Sequence, residues 1–167
     1  MVEHTQALRA PGVGETKLLE QNFAIEGALP SPFSIQTGIT EQDLDVYRAP
    51  YPDPASRRPL LQWPREIPLD REPADVADRI DAYGRWLADT PQVPKLLLTV
   101  EQGVGIAAPQ IVAWAQEHAA SLEVEGIGPA GHQAPEDQPD AIGQAIARWL
   151  ERQQLSVQPA AREGTAQ

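Results

Sequence analysis

The sequence predicts an α/β fold whose sheet is incomplete, and three observations carry that reading. Two apolar runs, Lys95–Val100 (KLLLTV) and Leu122–Ile127, are each followed by a stretch with helical spacing, which is the strand–helix–strand–helix order of a parallel α/β unit. A run as apolar as Leu96-Leu97-Leu98 is the pattern of a strand covered on both faces and flanked by neighbours. Residues 1–94 contain no further strand pattern, although a stable sheet normally needs roughly three or more strands. The chain therefore reads as the last part of a larger α/β domain.

Taken in order, Thr16 to Leu29 carries Leu18, Leu19, Phe23, Ile25 and Ala28 on one broad side and predicts a helix. Proline then dominates. The 17 prolines in 167 residues are twice the usual share of about 5%, and nine of them fall between Pro30 and Pro73. Each removes a backbone donor and biases its predecessor away from helix, so this stretch can hold only short helices and turns. Within it, Thr40 and Asp43 form a capping-box pattern ahead of Leu44 and Tyr47. Asp53-Pro54 predicts the cap and first residue of another short helix.

After Pro73, Val76, Ile80, Tyr83 and Leu87 follow the rhythm of an amphipathic helix. Pro109 opens a helix running to about His118, with Ile111, Val112, Trp114 and Ala115. Asp140 is the expected cap of a final helix with Ile142, Ile146, Trp149 and Leu150 on one face. From Gln154 to Gln167 the residues are polar or small and aperiodic, as in a frayed tail.

Composition narrows the function classes. Twenty-four acidic residues against 13 Lys plus Arg give a net charge of −11, which argues against a nucleic acid or an anionic membrane as partner. At 41% hydrophobic the chain can build a core. Absence of cysteine excludes disulfides, thiolate metal sites and a cysteine nucleophile. No apolar run approaches the roughly 18 residues of a membrane helix or forms a signal-peptide core, and the expected location is the cytoplasm.

Of the three histidines, His4 and His118 read as surface residues, and no pair has metal-ligand spacing, so no metal site is expected. His132 differs. It stands in Gly128-Pro129-Ala130-Gly131-His132-Gln133, a loop after a strand, where parallel α/β folds bind ligands. Position alone leaves open both a functional and an ordinary loop histidine. Gly126 to Gly131 matches GxGxxG, but Pro129 removes a donor and the next helix is expected only near Asp140, so the glycines read as a chain turn. Glu136, Asp137 and Asp140 read as charges at a helix start. Gln102-Gly103-Val104-Gly105, after the first strand, fits either close approach to a ligand or a plain turn. Trp63, Trp86, Trp114 and Trp149 are scattered and read as packing residues. No Gly-x-Ser-x-Gly or Gly-x-Asp-x-Gly window supplies a nucleophile elbow.

From about Leu18 to Leu150 the sequence resembles the haloalkane dehalogenases of the α/β-hydrolase fold. The carrying segments are QNFAIEGALP (21–30), LDVYRAPY (44–51), LLQWPREIPL (60–69), EPAD (72–75), PKLLL (94–98) and residues 127–149, which contain GPAGHQAPEDQPDAIGQAIARW. The resemblance implies a C-terminal portion of that fold: an N-terminal extension (1–15), a helical lid or cap (16–71), the end of the main domain with its last two strands (72–153), and a tail (154–167).

It also implies a chemistry. An Asp displaces halide from a haloalkane, and water activated by His then hydrolyses the ester to the alcohol. By motif His132 is the general base, and Ala24, Ala28, Val104 and Gly105 match pocket-lining positions. The nucleophile, the halide-binding residues and the oxyanion-hole loop precede the lid in the family and are missing here. The acid partner has no good match, Glu101 being a poor one. Around His132, Gly131, Gln133 and Ala134 replace bulkier apolar residues. No cofactor is implied. The expected function is thus a haloalkane dehalogenase-like hydrolase represented by its C-terminal part, inactive alone, with a small haloalkane as substrate if an N-terminal half completes it. The alternative is a non-catalytic acidic interaction module derived from a degenerate hydrolase, self-associating through its incomplete sheet.

Overall fold

The computed structural model describes residues 2–101 and 108–155. Helix α1 (Val2–Arg9) leads into two short π-helical segments, π1 (Glu15–Glu20) and π2 (Ala24–Ala28). Helices α2 (Glu41–Arg48) and α3 (Arg58–Glu66) complete the lid region. Then come α4 (Ala74–Asp89), β1 (Lys95–Glu101), α5 (Pro109–His118), β2 (Leu122–Pro129), the single turn α6 (Ala134–Asp137) and α7 (Pro139–Arg152). The expected N-terminal extension thus contains α1, whose Leu8 packs with Leu18 and Leu61, while Arg9 donates to the carbonyls of Ile67 and Glu72.

Three expectations need local correction. The helix expected over Thr16–Leu29 is broken, because Asn22 between π1 and π2 takes a φ of +50°, a left-handed conformation that asparagine tolerates better than most residues. Asp53-Pro54 does not start a helix. The Asp53 carboxylate accepts from the Ser56 N–H at 2.9 Å and closes a turn, and α3 begins only at Arg58. Asp140 is not the cap of α7 but lies in its first turn, with Gln138 at the cap position and no side-chain cap bond. The Thr40–Asp43 capping box forms as the spacing predicts, with each side chain bonded to the other residue's backbone N–H.

The lid's core is Ile25, Leu29, Ile35 and Leu44, of which Ile35 is the most deeply buried at 2% exposed. Two arginines brace it. Arg57 donates to the carbonyls of Leu19 and Tyr51, and Arg48 pairs with Glu26, Glu41 and Asp45. In a segment whose prolines cannot close backbone ladders, Arg57 satisfies carbonyls while Arg48 joins carboxylates, and together they tie the turns.

β1 and β2 form a two-stranded parallel sheet in register from Lys95↔Leu122 to Thr99↔Gly126, then shifted at Glu101↔Pro129. β2 extends two residues beyond the expected Ile127, to Pro129. Lys95 fastens the start of the sheet: its buried Nζ donates to the carbonyls of Thr90 at 2.8 Å, Val93 at 3.0 Å and Ala120 at 2.8 Å. The amphipathic helix α4 forms as predicted but buries only Ala77. Ile80 and Tyr83 are 50% and 57% exposed, because no second layer covers them among the described residues. Among those residues no helix is long and apolar enough to cross a membrane. The expected tail lies almost wholly outside them, only Gln154 and Leu155 being described.

Replacing Lys95 with Met keeps the aliphatic stem and leaves the three carbonyls, one buried and two partly buried, without their shared donor. Urea unfolding of Lys95→Met is expected to show a loss of about 2–3 kcal/mol, the scale of charge-assisted bonds removed from one partner. An unchanged midpoint would show that Lys95 does not hold the strand start.

Candidate active site

The site is built where the loop after β2 meets the lid. Two main-chain bonds join them: the His132 N–H donates to the Phe33 carbonyl at 2.9 Å, and the Gln133 N–H to the Ser34 carbonyl at 2.8 Å. Such close approach requires glycine at 131, because a Cβ there would sit 2.4 Å from the Ser34 carbonyl oxygen and 2.9 Å from that of Phe33. With the two backbones locked together, the His132 ring stacks on Phe33, its centroid 5.9 Å away and its plane tilted by 21°.

Asp137 seals the junction. Its carboxylate accepts from the Gly131 N–H at 2.8 Å within its own loop, and from the lid's Gln36 N–H at 3.1 Å, Thr37 N–H at 2.8 Å and Thr37 hydroxyl at 2.8 Å. Partial burial opposes ionisation, but these four bonds outweigh it and hold the carboxyl down at about 2. Beside it the Tyr47 hydroxyl donates to Glu136, which raises the tyrosine's pKa. All three members of the acidic cluster lie in first helical turns, Glu136 and Asp137 in α6 and Asp140 in α7, and the first two also bond to the lid.

Next to this junction lies an open cavity of about 510 Å³, within the usual range for small-molecule sites. His132, Ala24 and Ala28 all line it, so the structure brings together three residues singled out in the sequence. Phe23 and Trp63 add aromatic wall, and His4, exposed as expected, also lines it. Val104 and Gly105 lie outside the described residues, as does the neighbourhood of Gly103. Glu101 is exposed at the end of β1. His118 is exposed at the end of α5, stacked 4.5 Å from Trp114. Trp63, Trp86 and Trp114 are exposed, whereas Trp149 is half-buried. Among the described residues no group of three or more His, Asp or Glu could hold a metal ion.

Phe33 and Asp137 are the site residues that sequence reasoning missed. Asp137 meets Thr37 across 100 residues of chain, and no local spacing signals such a contact. Chemically, the arrangement offers an imidazole, whose ring nitrogens can accept or donate a proton, at the wall of a largely apolar cavity.

Two outcomes follow. Asp137 titrates below its ordinary 3.8 in the folded chain, so its contribution is fully present above about pH 4 and is lost as pH falls through about 2. In a denaturation series the stability gap between the native protein and Asp137→Asn is expected to close over that window; a gap independent of pH would refute the tether. Gly131→Ala is expected to cost about 2 kcal/mol or more at every pH, since the added methyl group forces two backbones apart.

No family model matches the chain. It is similar to a haloalkane dehalogenase of Mesorhizobium japonicum, 43% identical over 151 residues that make up 89% of this chain and 47% of that protein. A haloalkane dehalogenase of Bradyrhizobium diazoefficiens is 37% identical over 89% of this chain and 49% of its own length. Among solved structures, the haloalkane dehalogenase DbeA from Bradyrhizobium elkani superposes with a TM-score of 0.84 at 35% identity, covering 92% of this chain and 52% of that one. DatA from Agrobacterium tumefaciens superposes with a TM-score of 0.81 at 34% identity, over 90% and 50%. The chain thus spans about half the length of these relatives. By sequence and by fold it is a relative of the haloalkane dehalogenases, and it corresponds to the lid and C-terminal part of their α/β-hydrolase fold.

Proposed function

We propose that this chain is the histidine-bearing part of a haloalkane dehalogenase, with His132 as general base and a small haloalkane held against Ala24 and Ala28. The observation that carries the reading is the meeting of His132 with those two alanines at one cavity, from segments more than 100 residues apart. In the reaction a carboxylate oxygen displaces halide at carbon and forms an ester. Water, giving its proton to His132, then adds to the ester carbonyl; collapse releases the alcohol and restores the carboxylate.

His132 supplies only the second step. Neither the sequence nor the described residues offer the nucleophile in a strained elbow, so the chain alone has no covalent step to complete. Phe33 and the Asp137 tether support the base by fixing the loop that carries it.

A second reading, a non-catalytic acidic interaction module, is favoured by the half-exposed Ile80, Tyr83 and Trp86 on α4. It predicts a stable homodimer in size-exclusion chromatography with light scattering; a monodisperse monomer counts against it.

The decisive assay is halide release from 1-bromobutane or 1,2-dibromoethane by the pure protein and by His132→Ala. Both are expected to match buffer. Robust turnover abolished by His132→Ala would overturn the inactivity of the isolated chain and leave the role of His132 standing.

A further inference from the structure

The cavity wall is chemically one-sided. The chain carries 24 acidic residues, yet among the described residues no aspartate or glutamate lines the cavity, whose ionisable members are His4, His132, Tyr47 and Tyr51. His132 stacks on Phe33, whereas His4 of α1 lies against Phe23, with ring centroids 6.1 Å apart. Phe23 has a fixed seat. Its ring lies over Gly27, where an added Cβ would come within 2.5 Å of it. Lys17 of π1 rests on the same ring, its Nζ 5.1 Å from the centroid and within cation–π range.

These three side chains form a mouth suited to an anion. His4 and Lys17 are exposed and Phe23 is half-buried. Among the described residues Lys17 pairs with no carboxylate, and Glu15 of the same helix is taken up by Arg65. An imidazole keeps at least one N–H donor in either protonation state. The net charge of −11 repels anions at long range, but at about 0.1 M salt charges beyond roughly 10 Å are screened, so the local cation decides. One ammonium and one imidazole match a single carboxylate, whereas a phosphate dianion calls for more cations. Phe23 immediately precedes Ala24 and lines the same cavity, so an alkyl chain held against Ala24 and Ala28 lies beside this mouth.

We propose that Lys17 and His4, set around Phe23, form a subsite for a terminal carboxylate, which makes the substrate class a haloalkane with a carboxylate at its far end. The haloalkane end of that ligand rests on the function proposed above, the carboxylate end on the mouth alone.

Binding is read on the pure chain by NMR of the histidine ring protons, with 6-bromohexanoate against 6-bromohexan-1-ol, an uncharged counterpart of equal length. The His4 resonance is expected to move and that of His118, which does not line the cavity, to stay. The acid is expected to bind about fivefold more tightly than the alcohol, the scale of one exposed charge-assisted contact, and the margin to narrow as salt rises. Lys17→Met keeps the aliphatic stem and is expected to bring the ratio near one, while Lys17→Arg retains it. His4→Phe, followed on His132, is expected to lower the ratio to about two. Circular dichroism is expected to be unchanged, since both side chains are exposed.

Equal binding of acid and alcohol, a ratio indifferent to Lys17→Met and His4→Phe, or equal movement of His118 would each overturn the subsite. Hexanoate probes the other end of the ligand. If it binds as tightly as 6-bromohexanoate, the carboxylate subsite stands and the haloalkane reading loses support.

Discussion

The site depends on one ionised carboxylate, that of Asp137, placed where two segments without regular structure cross. Residues 33–37 of the lid have no helix or strand of their own, and neither does the chain from Ala130 to Gln133. Left alone, their backbone groups would turn to water and the segments would drift apart. Asp137 binds both at once, and the bonds from His132 and Gln133 to the lid carbonyls complete the junction. The ring contact of His132 with Phe33 and the requirement for glycine at 131 follow from that crossing.

The same device recurs with the opposite charge. Arg57 gathers carbonyls within the proline-rich lid, and Lys95 gathers three where β1 begins. Proline deletes donors, so the carbonyls of such a segment outnumber its backbone N–H groups. Long cations make up the difference with charge-assisted bonds, which are stronger than neutral ones. The exposed ion pairs of Arg71 and Arg152 contribute little by comparison, being screened by water.

The two parts of the chain differ in how well they satisfy themselves. The lid packs two apolar clusters, Ile25–Leu29–Ile35–Leu44 and, with Leu8 of α1, Leu18–Leu61, around which its turns close. In the sheet part, β1 is half-buried along most of its length and the predicted apolar face of α4 is largely bare. Both patterns come from ordinary amphipathic sequence; what differs is whether the facing layer lies within the described residues.

Local patterns were therefore legible wherever neighbours along the chain decide the outcome. The alternation of strands and helices, the Thr40–Asp43 capping box, the start of α5 at Pro109 and the exposed loop position of His132 can all be read from spacing. Ala24 and Ala28, which motif resemblance singles out, and His132 line one cavity. The break at Asn22, the turn at Asp53 and the role of Asp137 were not legible. Asparagine and aspartate side chains bond backbone groups in turns as well as at helix starts, so local sequence does not choose between the two, and Asp137 acts across 100 residues of chain. The sequence by itself determined the element order, the acidic charge and the proline-rich texture of the lid, because each rests on composition or short periodicity. Tertiary structure alone decided which carboxylate ties the lid to the histidine loop and which apolar face stays open, because both depend on what distant segments bring within a few ångströms.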